Sequence, residues 1–62
     1  MDEFLEKGDV VILLDAMRHP TKITGVVLSS TGLQQYNVLL TSGLGKGKIK
    51  KVSFFNLQKK EQ

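Results

Sequence analysis

The residues best suited to chemistry lie in one stretch, Gly43-Leu44-Gly45-Lys46-Gly47-Lys48-Ile49-Lys50-Lys51, where lysines are interleaved with glycine and isoleucine. In an extended chain alternate side chains share a face, so Lys46, Lys48 and Lys50 are expected in one row with Lys51 beside it. Ammonium groups and glycine amides together suit phosphate oxygens. The spacing is not that of a P-loop, which needs four residues between its glycines and then Lys and Ser or Thr at the start of a helix. Here Ile49 follows Lys48 and a strand is expected. Nor is it the dinucleotide-binding spacing. The plainer alternative is a solvated hairpin whose lysines discourage edge pairing.

A second group surrounds the only histidine and the only proline. Arg18, His19 and Lys22 flank Pro20, and Arg18 and His19 are expected on a loop at one mouth of the fold, within reach of a phosphate or a base. A lone loop histidine is more often simply exposed, its titratable charge being the one reason to single it out. Among the aromatic residues, Tyr36, Phe54 and Phe55 are the candidates for stacking on bases. A small core needs aromatics, which assigns Tyr36 and Phe54 to packing and leaves Phe55 as an exposed contact for protein or nucleic acid.

Catalysis has no support in these residue types. The chain lacks cysteine and holds one histidine, so no Cys/His or Ser/His/Asp set is available, and Asp9 and Asp15 flank a strand with no third group to support them. Without cysteine there are no disulfides and no thiolate metal sites, and the acids are not spaced as a calcium loop. The expectation is a protein that is not an enzyme and needs no metal or cofactor.

The charge is arranged in two blocks. Five of the six acids (Asp2, Glu3, Glu6, Asp9, Asp15) fall in the first fifteen residues, which sum to −4, whereas residues 16–60 carry Arg18, Lys22, Lys46, Lys48, Lys50, Lys51, Lys59 and Lys60 and no acid. One acidic and one basic side are expected, the basic side being the footprint of a polyanion partner. A net charge of +3 is also ordinary for a small soluble domain. The acidic start is unlike a secretory signal, and the longest apolar run, Val10-Val11-Ile12-Leu13-Leu14, falls far short of the roughly 20 residues that span a bilayer. These features predict a soluble, cytoplasmic chain with no membrane partner.

The elements that must hold these residues are short. At 62 residues the chain is near the lower limit for independent folding, so one domain over residues 1–62 is expected, with every apolar strand face in use. Residues 1–7 read as one helical turn, Phe4 and Leu5 packing down as a lid. Residues 9–14 are rich in β-branched residues and too short for a helix, hence a strand buried on both faces near its end. Residues 15–21 are a loop around His19-Pro20. Residues 22–30 read as a strand in which Gly25 marks a bulge or sharp bend. Ser30-Thr31-Gly32 signals a turn, and Tyr36, Val38 and Leu40 alternate with Gln35, Asn37 and Leu39 in the next strand.

Residues 42–47 form a flexible glycine-rich tip and 48–54 a fourth strand. Ile49 and Val52 are three apart, on opposite faces of a regular strand, which predicts a bulge or a one-turn helix near residues 53–56. A short last strand falls within 58–62. Five short strands without a helical apolar stripe predict an all-β fold, a closed or nearly closed five-stranded barrel.

Lys7-Gly8-Asp9-Val10-Val11-Ile12-Leu13, followed after a loop by Thr21-Lys22-Ile23-Thr24-Gly25-Val26-Val27, resembles the KOW-type motif of SH3-like barrels. In that pattern Gly-Asp enters the first strand and Gly-x-Val lies on the next. Tyr36-Asn37-Val38 and the segment from Val52 to Leu57 are similar to the third strand and the short-helix-to-last-strand step of such barrels. The fuller motif has a glycine-rich loop where this chain reads Arg18-His19-Pro20-Thr21. The resemblance implies an SH3-like barrel contacting RNA, the ribosome or RNA polymerase. Val52-Ser53-Phe54-Phe55-Asn56 sits where the plasmid-type dihydrofolate reductase barrels carry Val-Gln-Ile-Tyr-Pro, but it matches at one position, and that activity is rejected.

Two functions are therefore expected in rank order. The first is a small basic binding module contacting DNA or RNA, or a nucleic-acid-associated protein complex, through Lys46, Lys48, Lys50 and Lys51 with Arg18 and Lys22. The alternative is a protein-interaction adaptor, such as a phage-type regulatory accessory factor, docking through Phe55 and Met17. A homo-oligomer is a third, lesser partner class.

Overall fold

The computed structural model describes residues 5–32 and 34–60. The predicted lid lies partly outside them; its described part, from Leu5 onward, holds no helix, and Leu5 is buried with its N–H directed at the Tyr36 hydroxyl at 3.4 Å. The chain is all-β: β1 (Val10–Leu14), β2 (Pro20–Gly32), β3 (Gln35–Leu40), β4 (Ile49–Ser53), a 3-10 turn (Phe54–Asn56) and β5 (Leu57–Lys59). Every neighbouring pair is antiparallel, and the order across the single sheet is β4-β3-β2-β1-β5. The last strand thus lies beside the first. The sheet is open, with β4 and β5 at its edges, in place of the closed or nearly closed barrel expected. Pairing of two strand edges depends on how far a sheet curls, which local sequence patterns do not encode.

The sheet nevertheless wraps around its own core. Val11 and Leu13 of β1, Val27 of β2, Tyr36, Val38 and Leu40 of β3, Val52 of β4 and Leu57 of β5 form one buried cluster with Leu5. Five strands about 4.8 Å apart bring their inner faces onto one cluster only if the sheet coils. β1 buries alternate residues, not both faces, because only Val11 and Leu13 point inward. β3 alternates as its sequence predicts. Phe54 packs against the cluster, its ring tilted 51° to that of Tyr36 at 6.3 Å, whereas Phe55 is exposed.

β2 makes the curl possible. It runs unbroken for 13 residues, pairing with β1 from Pro20 to Val26 and with β3 from Gly25 to Gly32. Gly25 is not a bulge; it sits where both ladders overlap, opposite Val11 on one side and Leu40 on the other. A Cβ there would lie 2.5 Å from Val38 Cγ1 and 2.9 Å from the Leu39 carbonyl oxygen, so the close approach is what demands glycine. The register irregularities fall elsewhere, between Val27 and Ser29, Ser30 and Gly32, and Ile12 and Leu14. β4 has no bulge either. Ile49 and Val52 do take opposite faces, Ile49 being exposed, and the 3-10 turn follows where predicted. Among the described residues no helix is long and apolar enough to cross a membrane.

Candidate nucleic-acid interface

The lysine-bearing hairpin joins β3 to β4 and is held by its own backbone. Gly47 N–H donates to the Leu40 carbonyl at 2.8 Å while Leu40 N–H donates to the Lys48 carbonyl at 2.9 Å. Two residues thus oppose one, the arrangement of a bulge that opens on a glycine with positive φ, and Gly47 has φ +90°. Lys46 N–H donates to the Gly43 carbonyl and Lys48 N–H to the Gly45 carbonyl, closing two further turns. The tip, expected to be flexible, is therefore hydrogen-bonded through the amides of Lys46, Gly47 and Lys48. The amides of Lys46, Gly47 and Lys48 are also consumed internally, which leaves anion contact at these positions to the ammonium groups.

The lysines do not form one row. Lys46 belongs to the turn, and Lys48 lies just ahead of β4. By the strand's alternation Lys48 and Lys50 share the inward side with Val52, while Lys51 takes the outer side with Ile49. Because β4 is an edge, Lys50 remains exposed although its partner Val38 is fully buried. Lys22 joins this end of the molecule: Ser42 Oγ donates to its carbonyl at 3.2 Å and also accepts from Thr24 N–H, tying β2 to the base of the hairpin. Among the described residues the one ion pair is Lys59 Nζ to Asp9 Oδ2 at 3.7 Å. Lys22, Lys46, Lys48, Lys50 and Lys51 have no described carboxylate within ion-pair distance.

Arg18 and His19 form a separate cluster. Arg18 Nε donates to the Phe55 carbonyl at 3.0 Å and its guanidinium carbon lies 4.9 Å from the centre of the Phe55 ring. Asn56 Nδ2 donates to the Asp15 carbonyl at 3.2 Å, a second tie between loop 15–19 and the 3-10 turn. Asp15 organises the loop, its Oδ1 accepting the N–H groups of Met17 and His19 at 2.9 and 2.8 Å. The His19 N–H holds the Asp15 carboxyl below its ordinary value against a partial loss of hydration, with help from the Met17 N–H and the His19 ring. The imidazole of His19 is exposed. This cluster stands at the end of β4 and the lysine hairpin at its start, about 16 Å apart along a five-residue strand. The structure places Arg18 with Phe55, away from Lys46 and Lys48 of the hairpin.

Sequence reading did not single out Leu44. It is the most exposed of the large apolar residues, at 106%, ahead of Met17 at 74% and Ile49 and Phe55 at 63%. Its signal was the Gly-Leu-Gly triplet, an apolar side chain isolated between two glycines at a turn. Comparison with family models, with curated proteins and with solved structures gives no match.

Proposed function

We propose that this chain is a small non-catalytic binding module of SH3-like, KOW-type architecture that contacts nucleic acid, or a nucleic-acid machine of the transcription or translation apparatus, through Lys46, Lys48, Lys50 and Lys51 with Lys22. The observation that carries it is that exposed lysines run from the hairpin into edge strand β4, with Lys22 tied to the hairpin base through Ser42, and none of them has a described carboxylate partner. The architectural part is supported by the last strand lying beside the first, by a long second strand shared between two ladders and by the 3-10 turn before β5. Lysines act as point charges, so the binding is electrostatic and largely independent of sequence.

The test is affinity for short DNA and RNA between 50 and 200 mM salt. Engagement of four to five duplex phosphates gives a log–log slope of about −4, and replacing Lys46, Lys48, Lys50 and Lys51 by glutamine flattens it. Absence of binding, or binding indifferent to salt, rejects the proposal.

A second reading, docking onto a protein through Met17 and Phe55, is favoured by one observation. Arg18 adopts φ +63°, a left-handed conformation disfavoured for a residue with a side chain, and three contacts hold it and its loop there. A complex retained on the purified chain after nuclease treatment of the lysate, and lost with Phe55→Ala, identifies this mode.

A further inference from the structure

Leu44 is pushed outward by the way its neighbours pack. Gly43, with φ +84°, lies against Ile23, where an added Cβ would stand 3.1 Å from Ile23 Cγ1. Gly45 lies against Leu40, where a Cβ would stand 2.7 Å from Leu40 Cδ1. Both glycines press the tip onto the body of the sheet, and the side chain between them has only solvent to enter. The turn hydrogen bonds of Lys46, Gly47 and Lys48 fix this posture. The hairpin thus presents one apolar residue at an apex whose two flanking glycine carbonyls are hydrogen-bonded, with Lys46 and Lys48 close behind it in the chain.

We infer that Leu44 is a wedge: the hairpin lays its lysines along the backbone of a nucleic-acid duplex and inserts Leu44 between two base pairs from the minor groove, bending the duplex. This rests on the binding reading above. Apolar side chains, leucine among them, unstack base steps in this way and kink DNA by about 20–90°, and a pre-ordered apex inserts without first losing its own conformational freedom. The aromatic residues needed for a single-strand stacking platform are placed otherwise among the described residues. Tyr36 and Phe54 are in or against the core, and Phe55 is at the far end of β4 beneath Arg18. An anionic bilayer also attracts lysines, but burying one leucine contributes only about a 10- to 100-fold gain. Even a whole myristoyl chain holds a protein to a bilayer only marginally.

The experiment uses the full chain and a duplex of about 25 base pairs with a central TA step, the most readily unstacked kind, carrying a donor and an acceptor dye at its two ends. Saturation is expected to raise energy transfer. Leu44→Ala, at a fully exposed position and checked for unchanged circular dichroism, is expected to keep the salt slope, bind about tenfold more weakly and lose the rise. A duplex bound but left straight, or bent equally by Leu44→Ala, overturns the wedge and leaves the binding module standing. Tighter binding to the single strand than to the duplex does the same. Leu44-dependent binding to phosphatidylserine vesicles with no bend in the duplex replaces the wedge by a lipid contact. No binding to any nucleic acid in low salt removes the module and the wedge together.

Discussion

The Arg18 guanidinium is clamped to Phe55 twice, its Nε donating to the Phe55 carbonyl at 3.0 Å and its central carbon lying over the Phe55 ring, 4.9 Å from the ring centre. The clamp joins the loop after β1 to the turn before β5, two segments 37 residues apart in sequence. Both partners are exposed, so the ring contact is worth about 0.5–1 kcal/mol. A double-mutant cycle with Arg18→Ala and Phe55→Ala, measured by urea unfolding, should return a coupling of that size. A coupling near zero would show that the ring contact contributes nothing and that the loop is held by its hydrogen bonds alone.

Gly25→Ala is expected to be more damaging than Gly47→Ala. At Gly25 the new methyl meets Val38 Cγ1 and the Leu39 carbonyl oxygen, the latter being backbone that cannot yield. Such overpacking costs about 1–3 kcal/mol or more, against the roughly 3–5 kcal/mol that a core of this size supplies. At Gly47 nothing lies within 4 Å and the cost is the positive φ alone, about 1–2 kcal/mol. Unfolding midpoints of the two variants compare the terms directly. Equal losses would mean that β2 relaxes freely at its crossing point.

The contrast between these glycines also marks how far the sequence is readable. Strand content was legible wherever one face is buried: Tyr36, Val38 and Leu40 point inward as their alternation requires. The 3-10 turn at Phe54–Asn56 was legible too, from the three-residue spacing that puts Ile49 and Val52 on opposite faces. Gly25 signals in the sequence a bulge or a bend that lets one strand serve two partners; the two partners are there, but the need for glycine comes from close contact with Val38 and Leu39, which local sequence does not show. The left-handed φ of Arg18 escaped notice because a positive φ at arginine has no local signature and persists only through distant contacts. At the candidate site, the lysines were plain in the sequence. Their division between the two faces of an edge strand, and the outward thrust of Leu44, depend on tertiary packing.

Asp15 gives the fold an acid-sensitive component. Its carboxyl is held below the ordinary range chiefly by the His19 N–H. A depressed folded value means the contribution is fully present above the unfolded value, near 3.9, and is lost as pH falls through the lower folded value. Asp15→Asn keeps an oxygen that can accept hydrogen bonds but removes the titration. Its stability should therefore fall less steeply than that of the parent below pH 4, the two being compared by thermal unfolding across pH 2–6. Parallel acid limbs would exclude Asp15 as a contributor.

The lysines of β4 have a second consequence, for solubility. The hydrogen bonds at Leu40–Lys48 and Gln34–Phe54 set the phase of the ladder to β3, and antiparallel pairs alternate along it. Lys50 and Val52 therefore spend their backbone groups on β3, as do the Lys48 carbonyl and the Phe54 N–H, and Ile49 and Lys51 turn theirs to the open edge. An exposed edge beside an exposed Ile49 is a template for another strand, and two such edges meeting would bring Lys48, Lys50 and Lys51 of each copy together. Replacing Lys50 and Lys51 by threonine keeps strand propensity while removing that repulsion. The unfolding midpoint should move by no more than about 0.5 kcal/mol, since both are exposed surface positions. Sedimentation velocity should show the variant associating at concentrations where the parent does not. A variant that sediments like the parent would mean that the edge is guarded by its shape and not by its charge.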